Sequence, residues 1–250
     1  NMCLPDFMCI GEMRCGTTTL HRVLDSHPRI GMPSEKKELH FFDHYYDRGT
    51  DWYESFFDDA DLRGEVTPTY LADDAVPRRV DETLVGPLFI VCLRDPVSRA
   101  YSQYKYVRMK WDLGPSFDDV VEEKPMIIER GKYGQNLHPW LEVFDKDRFL
   151  FILFDDIVND HERVLESLAS FLDVNKEGFD ESAFTSKTNA SKKPRFPWLN
   201  PYLYGLRDKL HEYDLDWVAR WAKRMGAESL LKSDDFPTMP DGLRDALREY

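Results

Sequence analysis

Cysteine is scarce in this chain: Cys3, Cys9, Cys15 and Cys92 are the only four in 250 residues, and the C-terminal half has none. No two of them form a CxxC pair and no histidine cluster accompanies them, so zinc-ligand spacing is missing. A disulfide framework is missing too, and a reducing cytoplasm is the expected compartment. Long apolar runs are also lacking. The longest, Leu88 to Leu93 and Phe149 to Phe154, are strand-sized, well short of the ~20 residues a membrane-spanning helix needs. Stable membrane insertion is therefore not expected. No secretory signal is legible, and a Golgi-type luminal placement would require an N-terminal anchor removed ahead of Asn1. Positive charge is in deficit, with 33 Lys and Arg against 46 Asp and Glu for a net charge of −13. That excludes general nucleic-acid binding, which needs a basic face. No internal repeat or linker divides the chain. With 42% hydrophobic and 14% aromatic residues, one domain over 1–250 is expected. The closing pattern GLRDALREY stops within a helical periodicity, as a truncated C-terminus would.

What is present is organised around Phe7 to Pro28, FMCIGEMRCGTTTLHRVLDSHP. Phe7 to Gly11 is a short apolar run that predicts a buried strand. Gly11 and Gly16 mark a tight turn. A helix is expected from about Thr17, with Leu20, Val23 and Leu24 on one buried face, and His27-Pro28 closes it. Such a turn aims unpaired amides and the positive helix end at an anion, phosphate or sulfate. Thr17, Thr18 and Thr19 add hydroxyls, and Arg14 adds a permanent charge inside the loop. The plainer alternative makes Thr17 a helix cap and Arg14 a solvated charge. Gly11 to Gly16 has the glycine spacing of the nucleotide-binding GxxxxGK[ST] loop. Thr17 stands where that loop has lysine, which argues against an ordinary ATPase or GTPase.

Downstream, strands and helices are expected to alternate. Arg29 to Asp43, ending SEKKELHFFD, reads as a charged approach to a short aromatic strand. Trp52, Tyr53, Phe56 and Phe57 pack the start of a helix. Gly64 to Leu71 reads as a strand running into a proline turn, with Glu65 at its end. A helix from about Asp74 to Leu84 follows. Leu88 to Leu93 is a continuous apolar run, as in a central parallel strand. Arg94 stands at its C-terminal edge, where open α/β sheets bind ligands, and Pro96 suits the first turn of the next helix. There Arg99, Ser102 and Tyr106 share a face. Phe117 to Glu129 reads as a peripheral helix, and Tyr133 to Phe144 as another with Leu137, Trp140, Leu141 and Phe144 inward. Arg148 to Phe154 is a strand, and His161 to Leu172 a helix. Asp155-Asp156 reads as a helix cap rather than a metal site. Lys187 to Pro201 is a loop carrying Lys192, Lys193 and Arg195, and Pro201 to Met225 is helical.

RCGTTTL followed by a helix and HP resembles the 5′-phosphosulfate loop of sulfotransferases that use 3′-phosphoadenosine 5′-phosphosulfate (PAPS). Most members have lysine where this chain has Arg14, and tyrosylprotein and some bacterial members have arginine. The KELHFF run and GTDWY resemble heparan-sulfate-type sulfotransferases. LRDP followed by RAYS resembles the family's 3′-phosphate motif. The resemblance implies an α/β fold, a P-loop-like three-layer sandwich with a central parallel sheet flanked by helices. It implies PAPS as co-substrate, PAP as product and no metal. Arg14, Cys15, Gly16, Thr17, Thr18 and Thr19 would hold the 5′-phosphosulfate. Arg94 and Ser102 would hold the 3′-phosphate, and Lys193 and Arg195 would belong to a basic loop closing over PAPS. Glu38 would be the catalytic base, His40 would orient the acceptor or support the base, and Arg14 would stabilise the leaving phosphate. Lys37 would add positive potential. The acceptor would be a hydroxyl or amine of a glycan, small molecule or lipid. The alternatives are a P-loop nucleotide kinase or NTPase, and a non-catalytic PAP-binding protein.

Overall fold

The computed structural model describes residues 3–110, 117–185, 192–194 and 232–235, the last two stretches as backbone. The elements are β1 (Phe7–Gly11), α1 (Thr17–Asp25), β2 (Ile30–Gly31), α2 (Thr50–Glu54), β3 (Leu62–Val66), α3 (Val76–Thr83), β4 (Leu88–Leu93), α4 (Pro96–Lys110), α5 (Phe117–Glu123), α6 (Met126–Glu129), α7 (Tyr133–Val143), β5 (Phe149–Leu153), α8 (Phe154–Asn159), α9 (His161–Leu172) and α10 (Ser182–Thr185). Strands β6 (Lys192–Pro194) and β7 (Lys232–Asp235) pair antiparallel. The chain divides into two units, one of residues 1–95 and 132–188, the other of 96–131 and 189–250.

The first unit is built on a parallel sheet of order β2-β3-β1-β4-β5. Its middle strands are apolar on both faces, and the two-residue side-chain period divides them between two cores. Phe7, Cys9, Ile90 and Cys92 pack with Leu20, Val23 and Leu24 of α1 and Val164, Leu165 and Leu168 of α9. Met8, Ile10, Phe89 and Val91 pack on the opposite face with Val76 and Val80 of α3, Trp140 of α7 and Tyr53 of α2. This is the expected three-layer sandwich. Each fully buried large aliphatic side chain contributes about 1.5–3 kcal/mol. Strands β1 and β3 approach so closely that a Cβ on Gly64 would sit 2.1 Å from the Phe7 ring.

Three local expectations are corrected. The segment around Phe41 and Phe42 is a turn rather than an aromatic strand, with the amides of His44 and Tyr45 donating to the His40 carbonyl at 3.0 and 2.9 Å. Leu39, Phe41 and Phe42 all enter one core. A strand would have sent the two adjacent rings to opposite faces. Phe117 to Glu129 is two helices, since Lys124 and Pro125 interrupt it and proline cannot continue the ladder. Leu141 faces outward, although Trp140 and Phe144 are buried as expected.

In the second unit, Ala100, Tyr101, Tyr104 and Val107 of α4 pack with Phe117, Val120, Val121 and Ile127. Arg99 is buried, and its guanidinium donates to the Ile127 carbonyl. Arg195 and the helix expected over Pro201 to Met225 lie outside the described residues.

Candidate active site

The loop from β1 to α1 is set by backbone conformation. Arg14 and Gly16 both have left-handed φ, 71° and 91°. The amides of Thr19 and Leu20 donate to the Gly16 carbonyl at 2.9 and 3.1 Å. The helix ladder therefore starts there, with the amides of Thr17 and Thr18 ahead of it, where an anion is received. Gly16 is the N-cap and no side chain caps the helix, so Thr17 is not the cap. Thr18 is exposed and Thr17 is buried. The Thr19 hydroxyl accepts from Arg22 at 3.2 Å. Cys15 is turned inward: its amide donates to the Glu12 carbonyl at 3.2 Å, and its Sγ lies 3.7 Å from the Tyr133 hydroxyl.

A second cluster lies against this helix end. Lys37 Nζ donates to Thr18 Oγ1 at 3.3 Å and to Glu38 Oε1 at 2.9 Å. His40 Nε2 lies 3.7 Å from the other Glu38 oxygen. His40 Nδ1 lies 3.0 Å from Asp43 Oδ2, and Thr69 Oγ1 donates to that same oxygen at 2.6 Å. His40 adopts a left-handed φ of 55°, and the turn that follows brings Asp43 back under its ring.

The charges follow from these contacts. Burial works to raise the Glu38 pKa, but His40 and the Lys37 ammonium outweigh it and hold the carboxyl at about 2. Burial works against the His40 cation, but Asp43 and Glu38 raise the imidazole to about 9. Burial likewise opposes the Asp43 carboxylate, and His40 and Thr69 lower its pKa all the same. At neutral pH the cluster is an imidazolium between two carboxylates. His40, Asp43 and His44 place potential ligand atoms within 4.8 Å of one another, but those of His40 and Asp43 are already paired.

Arg94 leaves the end of β4 beside the loop. Its Nη1 donates to the Arg14 carbonyl at 3.3 Å, and its guanidinium lies 4.2 Å from the Phe154 ring centroid. The Tyr133 hydroxyl donates to the Arg94 carbonyl at 2.8 Å. The order of the sheet makes this contact, since β1 and β4 are neighbours. Ser102 is buried on α4 in the second unit, and Lys193 lies in β6.

A family model described as "Sulfotransferase domain" matches residues 4–200. The chain belongs to the sulfotransferase family. Among curated relatives, this sulfotransferase is 37% identical over 141 residues to a membrane-associated sulfotransferase of Dictyostelium discoideum, covering 51% of this chain and 30% of the relative. It is 29% identical over 216 residues to human heparan sulfate glucosamine 3-O-sulfotransferase 6, covering 82% and 61%. The chain thus spans less than two thirds of either relative. Among solved structures, a sulfotransferase from Alicyclobacillus acidocaldarius matches with a TM-score of 0.64 and 23% identity over 98% of both chains. Mouse sulfotransferase SULT7A1 complexed with PAP matches with a TM-score of 0.53 and 18% identity, over 72% of this chain and 62% of that one. At these identities the structural likeness is one of fold.

The structure brings together Thr18, Lys37, Glu38 and His40, and separately Arg14, Cys15 and Arg94. Sequence reasoning missed Asp43, Thr69 and Tyr133. The spacing of His40 and Asp43, three residues apart, was the one local signal for the first of these. The other two are joined to the site only by tertiary placement.

Proposed function

We propose that this chain moves a sulfuryl group from PAPS to a hydroxyl or amine in one in-line step. The observation that carries the reading is the hydrogen-bonded line from Thr18 through Lys37 to Glu38. It sets an anion-receiving helix end beside an ionised carboxylate. In the step, the acceptor oxygen or nitrogen bonds to sulfur, and the bond from sulfur to the bridging phosphate oxygen breaks. The acceptor proton passes to Glu38, and PAP departs with the bridging electron pair. Glu38 is the base. The amides of Gly16 to Thr18 and the hydroxyls of Thr17 to Thr19 stabilise the sulfuryl oxygens. Arg14 stabilises charge building on the leaving phosphate, as a cation rather than a proton donor. His40 holds Glu38 in place. Cys15 contributes loop backbone and Arg94 binds the 3′-phosphate; the motif resemblance alone assigns Ser102 to that phosphate and Lys193 and Arg195 to PAPS.

The KELHFF resemblance and the 3-O-sulfotransferase relative favour a sugar hydroxyl or amine as acceptor, with a small molecule or lipid as the other classes. All four cysteines are free, which suits a reducing cytoplasm. Among the described residues, no helix is long and apolar enough to cross a membrane. The whole of 1–250 is taken as one sulfotransferase domain. A nucleotide kinase would need lysine at Thr17, and Glu38 argues against a non-catalytic PAP binder.

Thermal shift and calorimetry test the reading. PAP raises the melting temperature, and ATP with magnesium raises it less. Glu38→Gln lowers PAPS turnover by ~10²–10⁴-fold, the usual worth of a general base, and does not weaken PAP binding. Absence of both a thermal shift and a binding heat with PAP would refute it.

A further inference from the structure

Lys37 occupies a position that the transfer chemistry above does not use. Its ammonium has three protons, and two are given, one to Thr18 Oγ1 and one to Glu38 Oε1. The first partner lies on the helix turn that receives the donor's anion. The second is the base. Lys37 is only partly buried, with 24% of its side chain exposed, so its flexible stem can move the charge by a short distance.

We infer that Lys37 couples arrival of the sulfuryl donor to release of the base. With the donor site empty, the ammonium caps one Glu38 oxygen. An anion seated against Thr17 and Thr18 brings new negative charge within reach of the same Nζ. The ammonium then shifts from the carboxylate to the donor, and Glu38 Oε1 is freed to take the acceptor's proton. Donor binding thus precedes the release of Oε1 for proton removal. Lys37 acts here as a positioning residue, and the inference rests on the reading of the α1 turn as the donor site.

The other charged groups around Glu38 do not offer the same path. His40 faces its second oxygen and is held from behind by Asp43 and Thr69. His21 of α1 is also near, but burial, with help from Lys37, lowers its pKa to about 4 and leaves it neutral. Lys37 bonds both the donor turn and the carboxylate.

A double-mutant cycle on PAP affinity, read by calorimetry, tests the coupling without any turnover. If Glu38 competes with the donor for Lys37, then Glu38→Gln tightens PAP binding by about fivefold, the worth of one released charge-assisted hydrogen bond. In a Lys37→Met background the same change gives less than about twofold, because no shared cation is left to compete for. Lys37→Arg, which keeps a mobile cation, restores the gain. Melting temperatures near that of the unaltered protein establish that the variants fold. Loss of PAP binding in a folded Lys37→Met protein counts for transfer of Lys37 to the donor. An equal gain in both backgrounds, or none in either, overturns the coupling and leaves the donor site standing. Failure of the unaltered protein to bind PAP removes the donor-site reading itself.

Discussion

Glu65 is a buried carboxyl beneath the site, and its removal should change stability in a pH-dependent way. It is fully buried on β3, accepting from the Tyr53 hydroxyl at 2.6 Å and the Thr67 hydroxyl at 3.1 Å. Burial is the largest influence and raises its pKa from 4.5 to about 7, against the two hydroxyls, which lower it. Between those two values the folded protein holds a proton that the unfolded chain has lost. Stability from this group is therefore fully present below pH 4.5 and is lost as pH rises through 7. At about 1.4 kcal/mol per pH unit, the span is worth about 3 kcal/mol. Glu65→Gln keeps the shape and removes the titration. The variant should match the parent near pH 4.5 and exceed its stability by about 3 kcal/mol at pH 8. Urea unfolding midpoints of both proteins at several pH values between 4.5 and 8 provide the measurement. Only the difference curve is informative, because burial of His21 acts with the opposite slope, stability rising with pH between about 4 and 6.5. A difference that stays flat across this range would refute the assignment of a buried, protonated Glu65.

Two further outcomes follow from the same geometry. His40, raised from 6.5 to about 9, contributes stability that is complete below pH 6.5 and lost as pH climbs through 9. His40→Gln should remove at most about 3 kcal/mol at pH 6 and abolish an alkaline limb near pH 9 in the turnover profile, seen by comparing kcat/KM of the two proteins. Gly16→Ala should destabilise by about 1–3 kcal/mol and weaken PAP binding, because left-handed φ disfavours a Cβ and the new methyl is crowded. That methyl would lie 2.9 Å from Ile157 Cδ1 and 3.1 Å from Phe154 Cδ2. An unchanged urea midpoint would contradict it.

The elements legible in the sequence are those whose signals are local. Strand β1 and helix α1 are bounded by Gly11, Gly16 and His27-Pro28, and β4 and α9 carry uninterrupted apolar patterns. That alternation suited an α/β class, and the P-loop-like three-layer sandwich was implied by the family resemblance. The stretch around Phe41 and Phe42 was misread because adjacent aromatics suit either a strand or a tight turn, and only the core that receives them decides. Lys37, Glu38 and His40 were legible as neighbours in sequence. Their reach to Thr18 and Thr69 was not, since 19 and 29 residues separate those contacts. Arg94 was legible as a strand-end cation, but its contact with the Arg14 carbonyl spans 80 residues and depends on which strands lie side by side.

Strands β1 and β4 are bonded neighbours, while Glu38, His40 and Asp43 belong to no strand. On the proposed reading, the donor loop leaves a strand hydrogen-bonded into the sheet, and the acceptor faces a turn that no strand holds. The exposed positions of this turn, away from Lys37 with its bond to Thr18 and from the buried Leu39, Phe41 and Phe42, are where acceptor choice can change while PAP stays bound. One scaffold can in this way keep a constant currency while changing its customers.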